Sequence, residues 1–571
     1  MTATFALALV ACSGSSETDA GAVDVGSESS SDTDEVGTGT GGDTDSGTGT
    51  DADSGTDSDS DTGEESWRSV LYPEDWTPEL VDEDGRFLHD FSYAGYHGGV
   101  LPLPEQIPGV ERSVLDDGAD PTGAEDSTAA IQASIDFVGE AGGGVVWLPP
   151  GSYRCDGLLT VAHAGVVIRG AGPETSLWFT RTAEMNGQEH LSFRGQLVQG
   201  AELALLEDGA PRSETVRVGA DAGDALALGD DLAIGWVITD EFVDEHEMAG
   251  MWASFNGQWR TFFRRELVAM DCDAAGCTLT LDVPLRYPAK LRDQASVRVE
   301  TGYLEEVGLE HLRLSTVSAD WDAAWTNPRS HAAAMIAVKD SWMRGLSSFE
   351  SPNSSDDRQR HLMSGGLFVS DAKRVTVADS TMAWPQHRGT GGAGYLFEIS
   401  RSSEIMTRDS VASGGRHNFI QNWDFGTSGC VWLRVESEAG AAFVDSTESV
   451  PLPGYSDFHH SLAMANLIDG ARIDDGWHAV NRTGFSSGAG HSATQNVFWA
   501  VSGAGVLRSF QWGWGYIIGS HGLSIERELD EGMLFESLYT APEDWLEGAE
   551  VAASLEPASL YEDQLARRLS P

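Results

Sequence analysis

The chain has 571 residues, of which 40% are hydrophobic and 18 are tryptophan, enough apolar material for a substantial core. Its formal net charge is -55 at pH 7, from 90 acidic and 35 basic residues. This charge excludes nonspecific binding to nucleic acid or anionic lipid through a general basic face, so a polyanionic ligand needs a local basic cleft.

The first twelve residues, MTATFALALVAC, form an apolar run that is too short to span a bilayer. The run LVAC resembles the lipobox of bacterial lipoproteins, which implies a signal peptide at 1–12 and lipidation of Cys12. Ser13 implies, by the same resemblance, retention at the outer membrane. We therefore expect an outer-membrane lipoprotein of the bacterial cell envelope, exposed at the surface.

Residues 13–66 contain only Ser, Thr, Gly, Asp, Glu, Ala and Val. Such a segment buries too little apolar surface to fold, and it repels itself, so it predicts a disordered acidic linker. Residues 67–113 are rich in proline and aromatic residues. They predict an irregular arm that lies on the surface of the domain that follows.

A capping helix is predicted before the first strands of that domain. Ile131, Ile135 and Val138 recur at intervals of four and three residues, and Asp126 or Ser127 precedes them as an N-cap. The sequence GGGVVWLPPG then ends the helix with glycines, forms a strand and turns at two prolines. We interpret the helix as a lid over the apolar end of the domain.

Short β-branched strands follow at intervals of roughly 20 to 35 residues, with no helix of 10 to 15 residues between them. This pattern excludes βαβ units and predicts a parallel β-solenoid over 114–545. Residues 181–300 predict an inserted antiparallel β segment instead. Residues 546–571 predict a helical C-terminal cap, in which Ser559 and Glu562 have capping-box spacing.

The segment DDGADPTGAEDSTAAIQASIDFVGEAGGGVVWLPPGSYR, followed by VVIRGAG, closely resembles the first module of the pectate lyase-like superfamily. That group includes rhamnogalacturonase-like hydrolases and mannuronan epimerases. The resemblance covers about 114–180. It implies an all-β fold, a right-handed parallel β-helix with an N-terminal capping helix, and action on polysaccharides. The antiparallel insertion predicted at 181–300 does not look like the coils of that fold.

The cysteines suit an exported protein. Cys272 and Cys277 flank a turn-like DAAG segment that can bring two strand ends within disulfide distance, so we predict a disulfide between them. Cys155 and Cys430 have no CxxC partner or suitably spaced histidine. They are predicted to be buried apolar residues rather than metal ligands.

Histidines and arginines recur between 384 and 500 on coils that a solenoid would stack, although each one alone is more often an ordinary surface or turn residue. Their coincidence predicts a basic groove. The catalytic candidates are Arg416, His417, His459, His460, Arg482 and His491. The candidates for substrate binding, through cations or aromatic faces, are His387, Arg388, Trp423, Trp477 and His478.

Arginine and histidine suit β-elimination on a uronate, because a cation neutralises the carboxylate, the C5 proton becomes removable and a base takes it. Hydrolysis needs two carboxyl groups across the bond instead. Asp474 and Asp475, with Gly490 and His491, resemble part of the motif set of the superfamily's hydrolases, whereas Asn-x-Asp and Arg-x-Lys are absent from their expected places.

Three interpretations stay open: a polysaccharide lyase, a glycoside hydrolase that uses Asp474 and Asp475, and a noncatalytic glycan-binding or attachment β-helix. The expected partners are a polysaccharide and, through Cys12, a membrane, with no nucleic acid. A monomer is expected. No cofactor and no metal site are predicted, and calcium stays an open alternative without a visible ligand cluster.

Overall fold

The computed structural model describes residues 66–185, 187–318, 329–354, 359–389, 391–443, 451–527 and 544–570. The predicted signal peptide with Cys12, and the predicted linker up to residue 65, lie outside these ranges. Strands dominate the described part. Its helices are Thr128–Glu140, Ala222–Ala225, Asp240–Glu245, Phe485–Gly488 and Leu560–Leu569, and its 3-10 turns are Tyr96–Gly99, Val114–Asp117, Gly172–Glu174, Leu291–Asp293 and Ala552–Ser554.

Two parallel sheets form the body of the molecule. In the first, which we call the groove sheet, strand order follows chain order, so each coil adds one strand beside the last. Its ten strands are Leu159–Val161, Gln188–Arg194, Ser330–Ile336, Gly365–Ser370, Tyr395–Ser400, His417–Gln421, Ser456–Phe458, Gly476–Ala479, Val506–Ser509 and Ser524–Glu526.

The second sheet, which we call the back sheet, holds the other strands of the coils. Its nineteen strands are Val110–Ser113, Gly144–Leu148, Gly151–Cys155, Val166–Gly170, Thr175–Phe179, Leu304–Glu305, Gly308–Thr316, Val338–Ser348, Lys373–Ala378, Thr381–Ala383, Met406–Arg408, Val411–Ser413, Val431–Leu433, Glu436–Glu438, Leu467–Asp469, Arg472–Ile473, Val497–Ser502, Tyr516–His521 and Trp545–Glu547. Short two-stranded pairs join Ala441–Phe443 to Pro451–Pro453 and Ala463–Met464 to Ala493–Thr494.

Like residues stack from coil to coil. Phe397 pairs with Phe419 in the next strand, and their rings stack with centroids 5.0 Å apart. At a turn, the Asn466 amide donates to Oδ1 of Asn496 over 2.8 Å. The buried apolar residues of successive coils form one continuous cluster along the solenoid, and the predicted all-β solenoid fold is confirmed.

The helix Thr128–Glu140 covers the N-terminal end of this core. Ile131, Ile135 and Val138 are fully buried against the first strands. The glycine run that follows has a steric reason: Gly144 has φ +138°, and a Cβ there would lie 1.9 Å from the carbonyl oxygen of Val110 on the neighbouring strand. The sequence GGG therefore lets the first two strands meet beneath the helix.

The antiparallel insertion begins later than predicted. Gln188–Arg194 belongs to the groove sheet, since Leu191 and Phe193 lie in the solenoid core, and the insertion's sheet starts at Val198 and ends at Thr301. A disulfide joins Cys272 to Cys277 across its long hairpin, while Cys155 and Cys430 are buried thiols. The strands are Val198–Gln199, Leu203–Ala204, Thr215–Val218, Asp231–Val237, Trp259–Asp273, Gly276–Leu281 and Ser296–Thr301.

The two ends of the described chain pack together on the back sheet. Leu71, Tyr72 and Phe91 of the arm share a buried cluster with Leu560 of the C-terminal helix. Ser559 caps that helix by accepting from the Glu562 backbone N–H over 3.1 Å. The strand Trp545–Glu547 still pairs with the back sheet, so the solenoid reaches two residues past the predicted boundary. Among the described helices, none combines the length and apolar character needed to cross a bilayer.

Candidate active site

The candidate site lies on the outer face of the groove sheet. Phe397 and Phe419 point into the core, so the residues that follow them, Glu398 and Ile420, face outward. The register places Asp457 beside Ile420 and His478 beside Asp457. Successive coils therefore place outward-facing residues in one row across neighbouring strands.

His417, Asp457 and His459 form the centre of the cluster, and their relative exposures are only 3%, 1% and 5%. One ligand-type atom from each lies within 4.8 Å of the others. Nδ1 of His459 donates to Oδ2 of Asp457 over 2.7 Å, and Nη1 of Arg482 donates to the same oxygen over 2.8 Å. The carboxylate thus fixes both the orientation and the tautomer of His459.

His417 presents a bare basic nitrogen. Its Nδ1 lies 2.7 Å from the carbonyl oxygen of Tyr455, so that nitrogen carries the proton, and its Nε2 is buried without a hydrogen-bond partner. Burial holds the pKa of His417 well below its usual value of 6.5, because water no longer solvates the imidazolium. At neutral pH, Nε2 therefore carries a lone pair that can accept a proton.

Tyr395 stands beside His417 on the preceding strand. The two residues pair in register, and their ring centroids are 5.1 Å apart. Burial raises the pKa of the Tyr395 phenol above its usual value of 10, against the opposing charge of Arg416. The phenol therefore keeps its proton at neutral pH, so the site holds a neutral base and a neutral acid side by side.

Two arginines give the cluster its positive character. Arg416 precedes His417, is half-buried and donates to the backbone carbonyl of Gly389, while Arg482 donates to Asp457. Burial keeps the histidines neutral, so the positive charge of the cluster comes from these two guanidinium groups, and both act on the imidazoles of His417 and His459.

A second polar cluster lies nearby on the same face. Glu398 accepts hydrogen bonds from Arg329, from Nε2 of His331 over 2.8 Å and from the Asn422 amide over 3.0 Å. The guanidinium of Arg329 holds the pKa of this buried carboxyl far below its usual range against the effect of burial. Glu398 is therefore a fixed anion, and it is unsuited to act as a general acid.

The insertion packs against one side of the cluster. Phe255 packs edge-on against His460 and Trp423, whose rings are themselves 4.3 Å apart. Trp423 is 38% exposed, which leaves part of its indole face open to a sugar ring. Burial lowers the pKa of His460 to about 3, so this imidazole is neutral as well.

Some of the other predicted groove residues lie next to the central cluster, and others lie away from it. His478 stacks on Tyr455 at 3.7 Å and lies next to the central cluster. Arg388 donates to the Gly414 carbonyl and lies over Phe443, and His387 is buried beside it in the same turn. His491 contacts Trp512 and the Met248 sulfur, so it belongs to the contact with the insertion.

Two predictions need correction. Trp477 is 1% exposed and stacks on Phe419 inside the solenoid core, so it cannot present a face to a sugar. Asp474 pairs with Arg472, and the Asp475 carboxylate accepts hydrogen bonds from Asn418, Ser437, Gly440 and Gly476. The Asp475 carboxylate is thus engaged in holding its coil, while the Asp474 carboxylate is held in a partly exposed ion pair.

Sequence analysis missed Tyr395, Glu398, Arg329 and Asp457. Asp457 could have been predicted as a site residue, because it stands two residues before His459 in the sequence SDFHH. No sequence pattern could have identified Tyr395, since only the register of the coils brings it next to His417. The donor set His417, Asp457 and His459 also suits a divalent metal ion. However, Arg482 already occupies one oxygen of Asp457, and the adjacent positive charge disfavours a cation.

Comparison with known proteins places a family match in the N-terminal part of the chain. The profile of the pectate lyase-like rhamnogalacturonase A/epimerase family matches residues 111–202. Over 67 residues the chain is 51% identical to mannuronan C5-epimerase AlgE3 of Azotobacter vinelandii, and over 60 residues it is 43% identical to alginate lyase 7 of the same organism. Each match covers 10% of this chain, and 4% and 7% of the respective relative.

Solved structures resemble the chain over a longer stretch at low identity. The tailspike protein gp49 from Pseudomonas phage LKA1 has a TM-score of 0.44 at 13% identity, over 72% of this chain and 64% of its own. The AlgE4 A-module of A. vinelandii has a TM-score of 0.31 at 13% identity, over 77% and 95%. The protein's own sheet topology is that of a parallel β-helix, and within it residues 111–202 are similar to the pectate lyase-like rhamnogalacturonase A/epimerase family.

Proposed function

We propose that this protein acts on an extracellular, uronate-containing polysaccharide and cleaves it by β-elimination in the groove. The observation that carries the proposal is the bare, buried Nε2 of His417 beside Arg416 and Tyr395. A cation, a neutral base and a neutral acid are the three groups that elimination next to a carboxylate requires.

Arg416 pairs with the uronate carboxylate and stabilises the negative charge that develops on it when the C5 proton leaves. Nε2 of His417 takes that proton, the C5–H electrons form the C4–C5 double bond, and the C4–O4 bond breaks. The Tyr395 phenol gives its proton to the leaving O4. The products are an unsaturated sugar end and a new reducing end.

The comparisons add a second candidate that shares the first half of this step. Several relatives of the N-terminal segment are named mannuronan C5-epimerases, and one is named an alginate lyase. If the proton returns to C5 from the opposite face before O4 leaves, the outcome is epimerisation. The two outcomes share the carboxylate-binding arginine and the base, and they differ in the products.

A panel of polyuronates and neutral glycans tests the proposal. We expect new reducing ends together with the ultraviolet absorbance of unsaturated uronates on at least one polyuronate. Arg416→Ala and His417→Ala should each lower turnover by about two orders of magnitude or more, as expected for a lost catalytic group. Arg472→Ala and His521→Ala, which alter exposed residues outside the cluster, are the matched controls.

Other outcomes of this experiment would indicate a different activity. Hydrogen exchange at C5 without new ends would replace elimination by epimerisation. Reducing ends without absorbance would indicate hydrolysis and contradict the proposal. Binding without any product would leave a glycan-binding protein, and full activity of the His417→Ala variant would remove His417 as the base.

We also propose that lipidation of Cys12 attaches the protein to the outer membrane and displays it at the cell surface. The support is the LVAC sequence followed by the acidic segment. A Cys12→Ala variant expressed in a bacterial host should move from the membrane fraction to the soluble fraction. Unchanged partitioning would contradict the anchor.

A further inference from the structure

The loop from Asn481 to His491 folds over the Asp457–His459 pair. An antiparallel bridge between Asn481 and His491 closes the loop at its base. Trp252 of the insertion holds its far side, because its backbone N–H donates to the Gly488 carbonyl over 2.9 Å and its indole N–H donates to the Ala489 carbonyl over 2.7 Å. The loop is therefore fixed both by the solenoid and by the insertion.

This loop holds a serine hydroxyl against the histidine. Ser486 and Ser487 both adopt left-handed backbone conformations, with φ of 51° and 60°. Such conformations cost a non-glycine residue about 1 kcal/mol or more each, and they concentrate at functional sites. The result is that Oγ of Ser486 lies 3.2 Å from Nε2 of His459 and 3.3 Å from Nη2 of Arg482.

We propose that Ser486, His459 and Asp457 form an acyl-transfer triad that hydrolyses a carboxylic ester carried by the polysaccharide. Nε2 of His459 faces the serine hydroxyl, and its Nδ1 donates to Asp457 over 2.7 Å. This is the geometry by which a serine nucleophile, its general base and the orienting carboxylate are recognised, whatever their order along the chain. Exposure decreases inward, from the partly exposed Ser486 to His459 and then to the fully buried Asp457 side chain.

The proposed reaction needs only the ester and water. Oγ of Ser486 attacks the ester carbonyl carbon while Nε2 of His459 takes the hydroxyl proton, and Arg482 lies close enough to stabilise the tetrahedral oxyanion. The C–O bond to the alcohol breaks, and the leaving alkoxide receives the proton from His459. Water then attacks the acyl-serine through the same base, which releases the acid and restores the serine.

The environment of His459 supports the role of general base. Burial holds the pKa of its imidazole well below 6.5, and the charges of Arg482 and Arg416 act in the same direction. The ring is therefore neutral, and its Nε2 can accept a proton, at neutral and mildly acidic pH. The proposed elimination uses different reacting atoms, Nε2 of His417 and the phenol of Tyr395, although the rings of His417 and His459 are neighbours with centroids 5.1 Å apart.

Two kinds of polysaccharide ester share this chemistry: an O-acetyl group on a sugar hydroxyl and a methyl ester on a uronate. Both present a carbonyl carbon to Ser486, and they differ in what leaves. An acetylated polysaccharide would release acetate, and a methyl-esterified polyuronate would release methanol. Measuring both products distinguishes the two sources.

A fluorophosphonate probe, which forms a covalent bond with activated serines, tests the triad on the full chain without any polysaccharide. We expect stoichiometric labelling, mapped by mass spectrometry to Ser486, and hydrolysis of p-nitrophenyl acetate. Ser486→Ala should abolish labelling, and His459→Ala and Asp457→Asn should each slow it by at least about 100-fold. Ser487→Ala is the matched control, because Ser487 is exposed, shares the left-handed backbone and should label as the wild type does.

Several results would contradict the proposed triad or its proposed substrate. Absence of labelling in the wild-type protein, or a label mapped to another residue, would overturn the triad without bearing on elimination. Equal labelling of the Asp457→Asn variant, with an unchanged far-ultraviolet spectrum, would also overturn it. Labelling at Ser486 without release of acetate or methanol from either polysaccharide would overturn the assignment of the substrate.

Discussion

Asp469 shows how a single buried carboxyl group makes stability depend on pH. It ends the back-sheet strand Leu467–Asp469, and its Oδ2 accepts hydrogen bonds from the Ser559 hydroxyl over 2.7 Å and from the Tyr561 backbone N–H over 2.9 Å. Its Oδ1 is buried without a partner, and burial raises the pKa of the carboxyl to about 7. The strand end and the C-terminal helix thus meet at a carboxyl group that favours its protonated form.

The sign of the effect follows from linkage. The unfolded chain releases this proton near pH 4, whereas the folded chain keeps it up to about pH 7, so stability falls as pH rises between these values. Asp469→Asn keeps an acceptor oxygen and removes the titration. Relative to wild type, we expect the variant to gain about 3 kcal/mol in the free energy of unfolding between pH 4.5 and pH 7.5.

Denaturant unfolding of both proteins at the two pH values measures this gain. Comparing the two pH values cancels any constant cost of the amide. Asp474→Asn is the control, because Asp474 is only partly buried and pairs with Arg472. An equal difference between wild type and the Asp469→Asn variant at both pH values would show that this carboxyl group does not set the pH dependence.

At the level of elements, local sequence patterns were sufficient to predict those segments whose structure depends mainly on their own residues. The capping helix followed from the spacing of Ile131, Ile135 and Val138, and the C-terminal helix followed from Ser559 and Glu562. The start of the insertion was predicted too early, because Gln188–Arg194 pairs only with strands distant in sequence. Whether a short strand joins a solenoid depends on partners that local pattern does not reveal.

The candidate site depends on the same long-range register. His417, His459 and Arg482 were identified by residue type, but Tyr395 reaches His417 only because the strands Tyr395–Ser400 and His417–Gln421 align at their first residues. The prediction for Trp477 was wrong because this residue, although it stands next to a candidate histidine in the sequence, lies on the inward face of its strand. Periodicity predicts that coils exist, and coil length decides which side chains meet.

At the level of the whole molecule, the net charge of -55 opposes the substrate that the groove is proposed to take. A polyuronate approaching the protein meets dispersed negative charge at long range and the cations Arg416 and Arg482 only at close range. The Debye length falls from about 30 Å at 10 mM salt to about 8 Å at 150 mM. Salt therefore screens the long-range repulsion more than the half-buried contacts.

We accordingly predict that kcat/KM on a long polyuronate rises several-fold between about 10 and 150 mM monovalent salt, the reverse of the usual behaviour of a basic polyanion-binding enzyme. A short oligouronate, which carries few charges, should show a smaller rise and serves as the matched control. Initial rates at subsaturating substrate across a salt series measure both. A fall of kcat/KM with salt for the long polymer would mean that attraction to the groove already acts at long range, and that the acidic surface does not limit capture of the substrate.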